Sequence, residues 1–295
     1  MRRGNEGSQR RVHGMNDRMD HAGRSRGPTV HPTAIVHPTA HLDEGVEVGP
    51  YAVIGAGVVI GAGTVVGPHA VLYDGVVIGA RNQLAAHVVI GTRPQDLAYR
   101  GEPTRVVIGD GNIFSEFAGV DRATGEGNET RIGNGAYIMS YVRVSHNCRV
   151  GDSAVLVNGS GLGGWVEIDD RAYVGGMSAV HQFVHVGRLA IVAGCSGLTQ
   201  DLPPYVMAGG FRARAIGLNT VGLRRHGVSP ADRLALRRAF RIFFQTRRSM
   251  GEALGALEVE AAQSVPVRHM LDFINAARGR QRGIVRWGTE TARSD

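Results

Sequence analysis

The stretch Ile35–Val66, IVHPTAHLDEGVEVGPYAVIGAGVVIGAGTVV, places an aliphatic residue at Val36, Leu42, Val48, Ile54, Ile60 and Val66, at every sixth position. The same spacing runs back to Val30 and forward through Leu72, Ile78, Leu84 and Ile90. It resumes at Ile108, Phe114 and Val120, then runs unbroken from Ile132 to Leu198, for twenty-six hexads in all. Four residues after the aliphatic a small or β-branched residue recurs, as at Ala34, Ala40, Val46, Ala52, Val58, Thr64 and Ala70, and later at Cys148, Ala154 and Ala172. An amphipathic helix repeats its apolar face at 3.6 residues and a half-buried strand at two. A strict six with one large and one small apolar position is neither. It describes a short strand and a corner, repeated so that three hexads close one triangular coil. Hexad positions one and five then point inward and the others outward.

Composition agrees with a narrow solenoid. Of 295 residues 43 are glycine, aromatics make up 6%, and the hydrophobic share is 43%. Small inward side chains suit a thin core better than a thick one. All 33 basic residues are arginines and the net charge is +7. That charge favours an acidic partner. With no zinc-finger spacing, aromatic RNA-binding pattern or basic zipper, nucleic acid is not the partner expected. No apolar run approaches the length of a membrane span, and the basic N-terminus lacks the apolar stretch of a secretory signal. A cytoplasmic protein without stable membrane insertion is expected. The two cysteines, Cys148 and Cys195, read as buried free thiols in a reducing compartment.

Three segments follow. Residues 1–28 form a basic tail without hydrophobic period, expected to be disordered, with Met15 or Met19 as alternative starts. Residues 29–205 carry the β-helix, and 206–295 a C-terminal helical domain. There Ser229-Pro230 reads as an N-cap and first-turn pair, with further helices expected near Gly251–Gln263 and Val267–Ala277. The arginines of this domain read as a solvated face or a partner-binding one. Two interruptions, Thr92 to Val107 and Gly125 to Arg131, leave the solenoid as loops, where binding residues tend to sit.

In this lattice His146 is the third residue of its hexad and faces out while Cys148 packs inside. Gly164 falls three hexads on, one coil away in the same column. A general base and a backbone N–H for an oxyanion can so stand on one wall, although a lone outward histidine is also an ordinary surface residue. Gln182 shares that column. Tyr51, His69 and His87 form another at three-hexad spacing, which reads as a stacked ladder at a subunit interface. A zinc site is the other reading, without the close outward histidine pair it needs.

Longer strings are more specific. QDLAYRGEPTRVVIGD (Gln95–Asp110), GGMSAVHQF (Gly175–Phe183), GCSGLTQDLPPYVMAGG (Gly194–Gly210) and GLRRHGV (Gly222–Val228) resemble the UDP-N-acetylglucosamine 3-O-acyltransferase family, over roughly Thr29 to Arg286. The resemblance implies an all-β solenoid, a left-handed parallel β-helix with a helical C-terminal domain. The left hand comes from the family and not from the spacing. It further implies a cytoplasmic homotrimer that moves a 3-hydroxyacyl chain from acyl carrier protein to the 3-hydroxyl of a UDP-sugar, the first step of lipid A biosynthesis, without cofactor or metal. By matching motifs, His146 takes the general base's place and Gly164 the oxyanion position. Gln95 and Asp96 match the sugar-contacting loop, and His181 and Gln182 match further pocket residues. Asn219 and Arg225 match the nucleotide contacts, and Gly194 the position that limits acyl length.

The pocket also departs from the family. Asn147 stands where an acid usually follows the catalytic histidine, so the base is expected to lose an orienting and polarising partner. Asp121, Arg143 and Trp165 replace histidines, Ala98 a lysine, Val221 an acid and His226 an arginine. These changes point to an altered acceptor. The alternatives are a 3-amino UDP-sugar, whose amine asks less of the base, another nucleotide sugar acylated by a paralogue, or a non-catalytic or metal-binding trimer on the same scaffold.

Overall fold

A computed structural model describes residues 27–288. The basic tail and the alternative starts lie outside them, apart from the last two residues of the tail. From Thr29 the chain makes two-residue strands separated by four-residue corners, and these stack into three parallel sheets. Sheet 1 begins with Thr29–Val30 and Glu47–Val48, sheet 2 with Ile35–Val36 and Val53–Ile54, sheet 3 with His41–Leu42 and Val59–Ile60. Each strand pairs with the one three hexads on, so every hexad position forms a column along the axis.

Burial follows the two-position reading. Ile54, Ile60, Leu72, Ile138, Leu156 and Val174 are within 1% of full burial, as are Ala52, Val58, Ala136 and Ala154 at the small position. Val30, in the first coil, is 41% exposed. Polar residues also occupy the small position, where Asn82 and Asn112 are fully buried. Asn82 donates to the carbonyls of Gly79 and Gly109 at 2.9 Å, and its Oδ1 accepts from Asn112 N–H at 2.8 Å. An inward amide is tolerated because its bonds are made.

The two interruptions preserve the lattice. Ile108 pairs with Ile78, five hexads back, and with Ile132, four hexads on. The excursions therefore add about two hexads and one, and return the chain in phase. Both leave the corner between sheets 2 and 3.

Past Leu198 the solenoid extends further than the expected boundary at 205. Val206–Gly209 continues sheet 1 in parallel and turns back antiparallel as Arg214–Leu218. Helices begin at α1 (Thr220–Arg225), which the sequence reading did not include. They continue with α2 (Pro230–Phe240), α3 (Met250–Ala261) and α4 (Val265–Ala277). Ser229 caps α2 by accepting from Asp232 N–H at 3.0 Å, with Pro230 in the first turn. Ser249 and Glu252 form a reciprocal capping box on α3, which fixes its start. A π-helical turn, Arg241–Gln245, follows α2. No helix among the described residues is long and apolar enough to cross a membrane.

The cysteines are free, and Cys148 is buried as expected. Cys195 is exposed, a correction to the expectation. It occupies the left-handed corner position, with φ of 55°, which turns its side chain away from the core.

Phe114 is fully buried at the large inward position. Phe114→Ala should cost about 3–5 kcal/mol, read as a lower urea midpoint without loss of the β signal at low denaturant.

Candidate active site

His146 sits at the corner between strands Arg143–Val144 of sheet 2 and Arg149–Val150 of sheet 3. The corner is fixed by its backbone. Asn147 has φ of 61°, a left-handed conformation that asparagine tolerates better than most residues. Its N–H donates to Thr130 Oγ1 at 2.8 Å, and Trp165 N–H donates to the His146 carbonyl at 3.0 Å.

His146 lies outside the core, as its register requires, yet only 9% of it is exposed. The two excursions cover it, since they leave the same corner one and two coils earlier. They are tied together by Glu102, which accepts from Gly125 N–H at 2.7 Å and from Arg100 N–H at 2.7 Å. These N–H groups, Gly125's first, hold the Glu102 carboxyl below its ordinary range. The register alone did not show this cover, because loops do not obey the hexad.

Asn147 keeps one of the two roles that its lack of charge was expected to remove. Its Oδ1 accepts from Thr124 N–H at 2.9 Å and its Nδ2 donates to the Thr124 carbonyl at 3.0 Å. These backbone groups cannot exchange donor and acceptor, so they set which way the amide faces. The same Oδ1 lies 2.9 Å from His146 Nδ1. Nδ1 therefore carries the hydrogen and Nε2 keeps its lone pair. The expectation of a base without an orienting partner is corrected, since only the negative charge is missing. A carboxylate stands nearby in Asp96, whose Oδ2 is 3.8 Å from His146 Nδ1. Ala98 N–H, 2.9 Å from Asp96 Oδ1, holds that carboxyl below its ordinary range, and the positive charge of Arg100 adds to the effect.

Gly164 lies directly beside the ring. A Cβ there would fall 2.4 Å from His146 Cε1 and 2.5 Å from Nε2, closer than any side chain permits. Glycine is required for the imidazole edge to rest on the next coil. Its carbonyl accepts from Phe183 N–H at 3.0 Å, which sets the peptide plane.

Asp121 and Arg143, expected to stand in the place of histidines, form an ion pair with Thr92 beside it. Asp121 is fully buried, and burial pushes its pKa up against the opposing pull of Thr92 and Arg143. The guanidinium lies over Gly119, where a Cβ would stand 2.5 Å from Arg143 Nη1. The two side chains thus make one unit.

The other sequence candidates divide by corner. Gln95 and Asp96 on the first excursion, and His181 and Gln182 two coils past His146, share the corner of His146. Gly194 lies on the corner between sheets 1 and 2, separated from His146 by the small outward residues Gly161, Ala179 and Gly197 of sheet 2. Asn219 is at the corner between sheets 3 and 1 and caps α1. It accepts from Gly222 N–H at 2.8 Å and donates to the Leu189 carbonyl at 2.9 Å. Arg225 is exposed on the last turn of α1. One copy of the chain does not bring Asn219 or Arg225 to His146.

Among the described residues no group of three or more histidine, cysteine or acidic side chains is placed to hold a metal. The predicted column of stacked rings is present and longer than expected. Tyr51, His69, His87, Phe117 and Tyr141 stack at 4.9–5.0 Å between ring centroids.

The three sheets, the hexads and the covered corner define a hexapeptide-repeat transferase. The model for bacterial transferase hexapeptide repeats matches residues 57–92 and 129–164. That for UDP N-acetylglucosamine O-acyltransferase, domain 2, matches 201–285. The chain is 48% identical over 258 residues to the acyl-[acyl-carrier-protein]–UDP-N-acetylglucosamine O-acyltransferase of Anaeromyxobacter dehalogenans, covering 87% of this chain and 99% of that protein. With the Burkholderia orbicola protein of the same name it shares 47% identity over 262 residues, 87% of this chain and 99% of that one. The solved Francisella novicida UDP-N-acetylglucosamine acyltransferase superposes with a TM-score of 0.84 at 34% identity, over 88% of this chain and 95% of that one. The chain belongs to the acyl-[acyl-carrier-protein]–UDP-N-acetylglucosamine O-acyltransferase family.

Two substitutions test the geometry. Gly164→Ala should lower kcat about a hundredfold or more with little change in melting temperature, since the added methyl displaces the imidazole and not the core. Asn147→Asp places a carboxylate beside Nδ1–H, which favours the imidazolium. The acid limb of its pH–rate profile should move to higher pH.

Proposed function

We propose that this protein transfers a 3-hydroxyacyl chain from acyl carrier protein to the 3-position of UDP-N-acetylglucosamine, the first step of lipid A biosynthesis. The observation that carries the reading is the orientation of His146. Asn147 holds Nδ1–H, and Nε2 is left as a base against the backbone of Gly164. His146 Nε2 takes the proton of the acceptor as its heteroatom attacks the thioester carbonyl. The Gly164 N–H stabilises the tetrahedral oxyanion. As the C–S bond breaks, the imidazolium returns the proton to the leaving thiolate. Asp96 stabilises the positive charge that His146 carries between the two transfers. Transfer is direct, with no acyl-enzyme and no metal step.

Gln95 and Asp96 hold the sugar from the shared corner, and His181 and Gln182 line the pocket beyond Gly164. The acyl chain lies across Gly161 and Ala179 toward Gly194, where the missing side chain leaves length for a longer chain. Asn219 and Arg225 reach the nucleotide from a neighbouring copy, because within one chain they occupy another corner. The stacked rings support that assembly. Tyr51, Phe117 and Tyr141 are about half exposed or more, as expected of a face covered in a homotrimer. Membership of the family supports action in the cytoplasm.

The uncharged Asn147 and the Asp121–Arg143 pair favour a second acceptor, the 3-amino analogue of the sugar. An amine is the stronger nucleophile and asks less of an unpolarised base.

Purified protein is to be offered 3-hydroxyacyl carrier protein with UDP-N-acetylglucosamine or its 3-amino analogue. Transfer to one or both is expected, and His146→Ala should lose about a thousandfold or more in kcat/KM. No transfer to either sugar sinks the reading. Undiminished transfer by His146→Ala removes the base.

A further inference from the structure

A second basic site stands at the C-terminal end of the same corner. His146, Gly164, Gln182 and Gln200 occupy one column, because the strands before them pair at three-hexad spacing. Beside Gln200 opens a cavity of about 500 Å³, lined by His181, Thr199 and Gln200 and by Arg212, Arg214, Arg282 and Arg286. The arginines come from two segments far apart in the chain. Backbone bridges Asp201–Ile284 and Ala215–Trp287 bring the hairpin and the C-terminal segment together, held by Asp201 N–H to the Gly283 carbonyl at 2.7 Å and Ala215 N–H to the Arg286 carbonyl at 2.9 Å.

Four arginines line one cavity, and their positive charges repel one another unless an anion joins them. Elsewhere in the chain arginines pair with acids, as Arg188 does with Asp170 and Arg280 with Glu167. None of these four forms an ion pair with a carboxylate among the described residues. Arg282 donates from Nε to the Gln182 carbonyl at 2.8 Å, and this anchors its stem and leaves the outer fork free. Arginine forks suit phosphate oxygens.

The distance selects the ligand. From His146 to Gln200 is three coil steps, about 14 Å at the usual strand spacing, and the arginines stand at and beyond that point. A phosphopantetheine arm has about thirteen bonds from phosphorus to sulfur and spans roughly 14–16 Å when extended, by the advance of an extended backbone.

We propose that Arg212, Arg214, Arg282 and Arg286 form a phosphate site that holds the phosphodiester of the donor's phosphopantetheine arm and lays its thioester beside His146 and Gly164. The proposal rests on the carrier-linked donor of the reading above. It places the donor along the axis of the corner, and the acceptor under the two excursions at its N-terminal end.

The test compares two carrier-free donors, 3-hydroxyacyl-4′-phosphopantetheine and its dephosphorylated pantetheine counterpart. Wild-type enzyme should favour the phosphorylated donor in kcat/KM by about tenfold or more. Arg212→Gln and Arg214→Gln should each reduce that ratio about tenfold, toward unity. Both replacements are on a surface hairpin, and the wild-type ratio needs neither. Calorimetry on the full chain should show phosphopantetheine binding more tightly than pantetheine. Equal use of the two donors by wild type overturns the proposal. So does a rise in KM for the UDP-sugar alone in the arginine variants, which would assign the cavity to the acceptor's diphosphate. A defect seen only with intact carrier protein would assign it to carboxylates of the carrier, and also overturns it. Phosphate-dependent binding by a wild-type enzyme that transfers nothing would leave the pocket standing and sink the reaction.

Discussion

Each coil hydrogen-bonds to the next in strict register, and everything else in the molecule is placed by that ladder. Because strand pairs such as Val144–Leu162 and Leu162–Val180 repeat at every third hexad, a residue's number gives both its face and its height. The ladder is also why the site tolerates so little. A carbonyl or N–H at a corner belongs to two coils at once, so the backbone at Gly164 holds its place and a side chain added there displaces the imidazole instead.

This constraint explains how much the amino-acid sequence revealed. The hexads gave the solenoid, the inward and outward positions, and the placement of Gly164 beside His146, because each follows from a period. What broke the period was not legible. The two excursions showed as interruptions, but their folding over His146 depends on Glu102 bridging Gly125 and Arg100, a contact that no periodicity encodes. The inward asparagines, the short α1 helix and the extension of sheet 1 to Gly209 were likewise set by tertiary bonds. The role of Asn147 was misjudged for a related reason. Its charge can be read from one letter, whereas the Thr124 backbone that orients its amide is 23 residues away in sequence.

The pocket carries negative charge in two places. The acid expected next to His146 is absent, yet Asp96 stands 3.8 Å from the ring, and Asp121 is buried close by against Arg143. A buried carboxylate needs its partner, since breaking such a pair costs far more than the pair contributes. Asp121, Arg143 and the bare Gly119 beneath the guanidinium are therefore best regarded as one structural unit.

The three corners of the solenoid differ in what they allow. One carries a continuous stack of rings, which an insertion would interrupt. Another carries Leu189 and the anchor of Asn219, by which the helical domain is attached. Only the corner between sheets 2 and 3 has accepted extra chain, and it has done so twice. A surface loop there costs little more as it lengthens, because closure entropy grows only with the logarithm of its length. Chain can so be added or trimmed along this one edge while the rest of the prism stays unchanged. The molecule's capacity for novelty is confined to a single seam.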